Sequence, residues 1–306
     1  MIPDYFRSKM KAMYGESGVV WADQAELIIL SLKEKFNLTF GDPFSLSYNF
    51  VVPVILPGDT SAVLKMGYPN KDFSNEFHAL VEFAGDAMVK VIDSDREAGW
   101  ILLAHLEPGT GLHSIGDEDA RLKIFASVAR QLWHKPSALH TFPDVKAWSE
   151  GIQRYRSRFH DANGPLPEKM IAKAESLFVH LLSSSNEQYL LHGDLHHENI
   201  LYSASSGWNA IDPKGLVGER EYDCIQYTLN HWKQHEDPYE LLKHRTSALS
   251  SLLSLSYERL IAYGFCHSVL SACWCVEDGS DCWENGAAIA EMYEKLIKEN
   301  KAGSPL

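Results

Sequence analysis

The most constraining feature of this sequence is a change of hydrophobic pattern near residues 104–110. After one amphipathic helix at 21–36, short apolar runs with turn signals between them predict strands at 47–56, 61–68, 87–95 and 99–106. A single helical stripe at 71–85 interrupts these strands. Beyond the change, helical periodicity dominates at 117–135, 164–182, 238–265 and 286–300. We therefore predict an α+β protein with a small antiparallel sheet over residues 1–105 and a larger, mainly helical part over 106–306.

Composition and charge exclude several classes of function. The 306 residues are 45% hydrophobic and 23% charged, as in ordinary soluble proteins. A net charge of −13 argues against nonspecific nucleic-acid binding and is compatible with a cationic ligand. The first residues show no apolar core of a secretion signal, and the longest apolar stretch, at 265–276, is expected to be too short and too polar to cross a membrane. We expect a cytoplasmic protein.

All five cysteines lie in the last third of the chain, at 224, 266, 273, 275 and 282. An odd number without a secretion signal predicts reduced thiols, because disulfides are rare in reducing compartments. Cys273 and Cys275 form a CxC pair rather than the CxxC of a typical zinc site. Packing in the core is therefore favoured over metal binding.

The densest cluster of polar residues is "HGDLHHENIL" at 192–201, followed by "WNAIDPKG" at 208–215. Asn199 follows Asp194 by five residues, and Asp212 follows Asn199 by thirteen. A predicted hairpin from "NILY" to "WNAI" would bring Asn199 and Asp212 together as magnesium ligands. Asp194 would then accept a proton from a hydroxyl group. A zinc hydrolase using His192 and His196 is disfavoured because the stretch lacks HExxH on a helix, and no GxSxG supports a serine hydrolase.

The order H-G-D-L-x-x-x-N-I-L with a downstream I-D resembles the aminoglycoside phosphotransferase family, a small-molecule relative of the protein kinases. Within it, "HGDLHHENIL", "AIDPKGLVGE" and "EPGT" most resemble the streptomycin 6-phosphotransferase and hydroxyurea phosphotransferase branch. The resemblance runs from about residue 20 to the end of the chain. It implies a two-lobed, protein-kinase-like fold: a nucleotide-binding lobe over 1–105, and a helical lobe over 106–306 that carries the catalytic loop and acceptor site.

The resemblance also implies roles for single residues, which are catalysis by Asp194, magnesium binding by Asn199 and Asp212, and phosphate binding by Lys65. Glu76 is expected to pair with Lys65, with Glu82 as second choice. Backbone groups near Ala104 and Leu106 would read adenine.

Three further positions follow from the resemblance. His192 would pack beneath the catalytic loop, and Asp223 resembles a structural aspartate. The segment 44–54 stands where a loop would cover the phosphates, but it lacks GxGxxG, so Ser45, Ser47 and Tyr48 are only candidates there.

The segment "ACWCVEDGSDCWE" combines tryptophans with acidic residues. Aromatic faces and carboxylates bind guanidinium and ammonium groups, so Trp274, Glu277 and Asp278 are candidates for binding a cationic acceptor. The alternative is a solvated acidic loop with Trp274 in the core.

We predict an enzyme that transfers the γ-phosphate of ATP, with Mg²⁺, to a hydroxyl of a small molecule, an aminoglycoside such as streptomycin or a related compound. Two alternatives stay open: a sugar or amino-alcohol kinase of the same fold, and a nucleotide-binding module without catalysis. The motifs determine neither the acceptor nor the oligomeric state, because one fold hosts many functions.

Overall fold

The computed structural model describes residues 2–46, 48–85, 87–139, 141–159, 164–185 and 187–303. The helices are α1 (Asp4–Tyr14), α2 (Glu16–Phe36), α3 (Lys71–Glu82), α4 (Glu118–Leu132), α5 (Val145–Arg158), α6 (Glu168–Ser183), α7 (Arg220–Asp223), α8 (Ile225–Leu229), α9 (Pro238–Leu253), α10 (Tyr257–Glu277) and α11 (Trp283–Gly303). The strands are β1 (Thr39–Phe40), β2 (Phe50–Leu56), β3 (Thr60–Met66), β4 (Val91–Asp95), β5 (Trp100–Ala104), β6 (Pro108–Gly111), β7 (Tyr189–Leu191), β8 (Ile200–Ser203), β9 (Gly207–Ala210) and β10 (Leu216–Gly218). Short 3₁₀ turns lie at Leu112–Ser114 and Trp232–Gln234.

The chain divides into two compact units. Unit 1 contains Met1–Thr110 and Leu201–Lys214, and unit 2 contains Gly111–Ile200 and Gly215–Leu306. The segment that carries Asp212 therefore belongs with the N-terminal sheet, which a single linear boundary at residues 105 and 106 does not capture. That nucleotide binding lies in the N-terminal part and acceptor binding in the C-terminal part stays a prediction.

Unit 1 is built on a five-stranded antiparallel sheet with the order β1-β2-β3-β5-β4. The predicted hairpin is present, because β2 and β3 pair from Phe50 with Met66 to Leu56 with Thr60. Alternation along β2 turns Phe50, Val52 and Val54 to one face, where they join a core that includes Phe6 of α1 and Ile29 of α2. Helix α1 is not evident in the sequence pattern.

The second predicted hairpin also forms, since β8 and β9 are neighbours in a small sheet with the order β6-β8-β9. Asp212 follows β9 by two residues. The segment Leu201–Lys214, from the second half of the sequence, thus forms part of unit 1.

Unit 2 is mainly helical, with β7 and β10 paired antiparallel from Leu191 with Leu216 to Tyr189 with Gly218. Aspartate and serine side chains cap the first turns of several helices. Asp117 caps α4, Asp144 caps α5, Asp237 caps α9 and Ser256 caps α10. Helix α5 was not predicted, and the helical stretch at 238–265 is divided into α9 and α10 at Ser254, which adopts a left-handed conformation with φ 53°.

Helix α10 corrects the expectation for the apolar stretch at 265–276. The stretch belongs to a helix of 21 residues, which by its length and composition could cross a membrane. However, 78% of its most apolar window is buried inside the protein, so the helix forms the core of unit 2. Length and composition therefore do not identify a membrane helix, because a buried core helix can be equally long and equally apolar.

The prediction that all five cysteines are reduced is wrong for two of them. Cys275, in the last turn of α10, and Cys282, just before α11, form a disulfide with Cα atoms 5.8 Å apart. The tight turn between the two helices brings the sulfurs together, which spacing along the chain does not reveal. Cys224, Cys266 and Cys273 are free and buried, in agreement with packing roles.

Candidate active site

Lys65 is a buried cation in the middle of the sheet of unit 1. It lies on β3, pairs with Val51 and Ile101 on the neighbouring strands, and has a side chain only 2% exposed. Its ammonium group forms an ion pair with Glu76 of α3, the partner chosen from the sequence. The ammonium group therefore does not reach solvent, and its carboxylate partner compensates its buried charge.

Asp212 contacts the same ammonium group, with its Oδ1 atom 2.9 Å from Lys65 Nζ. Its backbone has φ 57°, a conformation that non-glycine residues rarely adopt and that is common at functional sites. The Asp212 side chain is 46% exposed, so its carboxylate remains accessible to a ligand. Lys65, Glu76 and Asp212 thus meet within unit 1.

Charge pairing keeps this lysine protonated. Burial alone would lower the pKa of Lys65, but the carboxylates of Asp212 and Glu76 raise it above the ordinary value. Burial raises the pKa of Glu76, and the Lys65 charge opposes that effect. The ammonium group of Lys65 therefore stays charged, and a charged ammonium group is the kind of donor that holds phosphate oxygens.

The predicted catalytic loop lies in unit 2 and is held by Asp223. The carboxylate of Asp223 accepts hydrogen bonds from the amides of His192 at 3.1 Å and Gly193 at 2.7 Å, and from Trp133 Nε1 at 2.8 Å. Gly193 has φ 81°, which glycine adopts without steric cost. Burial raises the pKa of Asp223, while these three donors favour the ionised form. The predicted structural role of Asp223 thus has a direct geometric basis.

Asp194 is half-buried in this loop, and its backbone amide donates to Nδ1 of the buried His192 at 3.2 Å. Asn199 Nδ2 donates to the Asp194 carbonyl oxygen at 2.9 Å. The amide nitrogen of Asn199 is thus engaged within the loop, and its oxygen is the atom suited to a metal. Amide and carboxylate oxygens are ligands that Mg²⁺ prefers, so the chemistry of Asn199 and Asp212 fits this ion.

His196 is a neighbour of Asp194 that the sequence analysis did not select. Its Nε2 atom lies 3.6 Å from Asp194 Oδ1, and its Nδ1 atom lies 2.9 Å from Glu198 Oε2. The sequence signal for this contact is the spacing of Asp194 and His196, because side chains two residues apart in a non-helical bend can lie on the same side. For a histidine in such a bend the sequence favours local hydrogen bonding, and the structure adds that the carboxylate next to His196 is that of Asp194.

The segment predicted to read adenine lies at the end of β5 in unit 1. The Ala104 amide donates to the Lys90 carbonyl at 2.8 Å, so recognition through this residue would use its carbonyl group. Leu106 is buried. Of the covering-loop candidates, Ser45 and Tyr48 are exposed, and Ser47 lies outside the described residues. These assignments stay predictions.

The three predicted acceptor residues do not form one acidic surface, and two of them lie within a helix rather than in a loop. Trp274 packs edge-to-face on Trp148, with ring centroids 5.6 Å apart. Glu277, in the last turn of α10, binds Arg154 through both oxygens at 3.0 and 3.2 Å. Asp278 is exposed and ends the helix. Because Arg154 compensates Glu277, only Asp278 keeps an uncompensated charge among these three residues.

Comparison with known proteins decides the family. Residues 41–279 match the family described as aminoglycoside/hydroxyurea antibiotic resistance kinase. The chain belongs to this family. It is 26% identical over 286 residues to streptomycin 6-kinase of Streptomyces glaucescens, covering 91% of this chain and 92% of the relative. It is 30% identical to streptomycin 3''-kinase of Klebsiella pneumoniae, covering 84% and 96%.

The fold of this kinase agrees with the comparison of structures. Choline kinase LicA from Streptococcus pneumoniae superimposes with a TM-score of 0.64 at 17% identity, over 90% of this chain and 98% of that one. The predicted kinase-like α+β fold and the predicted resemblance are confirmed. The chain is a small-molecule kinase that uses ATP as phosphoryl donor, as its relatives' names imply.

Proposed function

We propose that this kinase transfers the γ-phosphoryl group of ATP, bound with Mg²⁺, to a hydroxyl group of an aminoglycoside of the streptomycin class. The observation that carries the proposal is the buried Lys65, held between Glu76 and Asp212. A permanently charged lysine fixed by two carboxylates is suited to orient a triphosphate, and phosphoryl transfer depends mainly on such positioning.

The residues of this chain divide the task. Lys65 binds phosphate oxygens, and Glu76 fixes its position. Asn199 and Asp212 supply oxygen ligands for Mg²⁺, which when bound neutralises phosphate charge. Asp194 accepts the proton of the acceptor hydroxyl or orients it for attack. Backbone groups of Ala104 and Leu106 contact adenine.

The proposed acceptor rests on the family and on the names of the relatives. Two of these are streptomycin kinases that act at different positions, and a third is a hydroxyurea phosphotransferase. A sugar or amino-alcohol acceptor is the alternative, because Glu277 is already paired with Arg154. A module without catalysis is disfavoured, because Lys65, Asp194, Asn199 and Asp212 are all present.

We also propose a cytoplasmic location and an acceptor that is a small molecule rather than a nucleic acid or a membrane lipid. The net charge of −13 supports a small-molecule acceptor, because an acidic protein repels nucleic acids and other polyanions.

The test is Mg²⁺-dependent ADP release with streptomycin, other aminoglycosides, hydroxyurea, sugars and amino alcohols as acceptors. Asp194→Asn should lower kcat by about 10²–10⁴-fold, the contribution of a positioned base, and should leave ATP affinity nearly unchanged. Asp59→Asn, in the exposed turn between β2 and β3, is the matched control and should keep full turnover. Near-normal turnover of Asp194→Asn would contradict the catalytic assignment, and stimulation by none of the acceptors would contradict the proposed substrate class.

A further inference from the structure

The side-chain amide of Asn199 is held by two acceptors of its own loop. Its Nδ2 atom lies 2.9 Å from the Asp194 carbonyl oxygen and 3.2 Å from Nε2 of His196. A carbonyl oxygen can only accept, so the amide atom next to it is the nitrogen. One hydrogen of this nitrogen is donated to Asp194 and the other to His196. The amide oxygen is therefore the atom of Asn199 that remains for a metal ion.

The contact with Asn199 determines which nitrogen of His196 carries the proton. An amide nitrogen can only donate, so Nε2 of His196 accepts and is unprotonated. The proton of the neutral ring is then on Nδ1, which lies 2.9 Å from Glu198 Oε2. The Glu198 backbone amide is 3.2 Å from the same Nδ1 atom, but the opposite tautomer would direct a lone pair at the carboxylate. The Oδ1 atom of Asp194, 3.6 Å from Nε2, is too distant for a hydrogen bond.

Glu198 is itself held in place from its other side. Its Oε1 atom contacts Nε2 of His231, and its Oε2 atom lies 3.4 Å from Asn230 Nδ2. The hydrogen bonds from His196 and His231 lower the pKa of Glu198 to about 2, although burial opposes them. An ionised carboxylate has no proton to donate, so it keeps the proton of His196 on Nδ1. All these residues belong to unit 2.

We propose that His196 is a positioning residue, which orients the Asn199 amide so that its oxygen is presented to Mg²⁺, and that Glu198 holds the required tautomer. This inference rests on the proposed role of Asn199 as a magnesium ligand. Removing a hydrogen bond that orients a metal ligand typically weakens metal binding by about 10–100-fold. The Asp194 carbonyl would still hold one hydrogen of the amide, so we expect an effect near the lower end of this range.

The first experiment measures metal binding without catalysis. The affinity of the ADP complex for Mn²⁺ is measured by electron paramagnetic resonance of the free ion, and its affinity for Mg²⁺ by competition. His196→Leu should weaken binding of both metals by about tenfold and should leave ADP affinity in EDTA unchanged, because only the metal ligand is misoriented. His180→Leu, at an exposed position of α6, is the matched control and should behave as the wild type.

A conservative variant separates positioning from a merely structural role. The side-chain oxygen of glutamine can take the place of Nε2, so His196→Gln should keep the bond to Asn199 and recover most of the metal affinity. Equal losses in His196→Gln and His196→Leu would refute the acceptor role of His196. Glu198→Ala removes the group that fixes the tautomer and should weaken metal binding by a smaller factor. Unchanged affinity in Glu198→Ala would overturn the part assigned to Glu198.

Combination with Asn199→Ala separates failure of this inference from failure of the proposed function. Asn199→Ala should weaken metal binding, and adding His196→Leu should cause no further loss, because His196 acts through Asn199. Unchanged metal affinity in Asn199→Ala would overturn the proposed metal site and the positioning role with it. If Asn199→Ala weakens binding, then wild-type affinity in His196→Leu, or fully additive losses in the double variant, would overturn the positioning role alone.

Discussion

At the scale of single residues, the most constrained side chain is Lys65. Its ammonium group is buried and touches two carboxylates, one eleven and the other 147 positions away along the chain. A buried charge without its partner is strongly destabilising, whereas a matched pair is near neutral. The energetics of this pair can therefore be tested separately from catalysis.

Lys65→Met should lower the free energy of unfolding by about 3 kcal/mol, because it leaves the Glu76 carboxyl buried without its cation. The double variant with Glu76→Gln should recover part of this loss, since the uncompensated charge is gone. Urea unfolding of both single variants and of the double variant gives the coupling free energy. Purely additive effects would contradict a direct ion pair.

The catalytic loop shows how local and distant contacts combine at this scale. Asp194 and Asn199 are five residues apart, and the hydrogen bond from the Asn199 side chain to the Asp194 carbonyl oxygen is therefore a local contact. The support from Asp223 reaches across 30 residues to Gly193. That support was suggested only by resemblance to the family, because no periodicity relates the two positions.

At the scale of elements, helices α10 and α11 approach closely where glycines face the opposite helix. A Cβ atom at Gly264 would lie 2.1 Å from the Tyr293 ring, and one at Gly286 would lie 2.7 Å from the Ser268 carbonyl oxygen. Glycine is thus required there by packing rather than by backbone conformation. Helix propensity by itself would favour alanine at both positions.

Gly264→Ala should therefore destabilise the kinase by about 1–3 kcal/mol, the usual cost of overpacking, although alanine is the better helix former. Thermal or urea unfolding measures the change. Gly116→Ala is the matched control, because a Cβ atom there meets no atom within 4 Å. A Gly264→Ala protein as stable as the control would show that the two helices can move apart without cost.

At the scale of the whole molecule, stability should depend on pH through buried histidines. His267 is buried in α10, with Nδ1 2.7 Å from the Tyr222 hydroxyl and Nε2 3.3 Å from Gln226 Nε2. Burial lowers its pKa from 6.5 to about 4. Between these values the unfolded chain binds a proton that the folded chain does not, so stability falls as pH falls.

His267→Gln should remove part of this dependence. From pH 7.5 to pH 5, the wild type should lose about 2 kcal/mol more unfolding free energy than the variant, because unfolding is coupled to protonation of this imidazole. Urea unfolding at both pH values gives the double difference. His180→Gln, at an exposed position of α6, serves as control, and an equal loss in wild type and His267→Gln would refute the assignment.

The change of pattern near residues 104–110 predicted the sheet and the helical part correctly, because strand and helix periodicities are local properties. The errors arose where packing overrides local signals. Helix α5 was not predicted, the helical stretch at 238–265 is divided at Ser254, and two cysteines predicted to be reduced form a disulfide. The break at Ser254 and the disulfide depend on the geometry of turns, which hydrophobic periodicity does not encode.

The sequence by itself indicated the kinase family, through the resemblance of its motifs, and it predicted Asp194, Asn199 and Asp212 as the residues of the catalytic motif. Tertiary structure decided which side chains meet. It joined Lys65 to Asp212 and paired Glu277 with Arg154. The physical reason is that periodicity encodes how a segment folds and which face it buries, whereas contacts between segments depend on the packing of the whole unit.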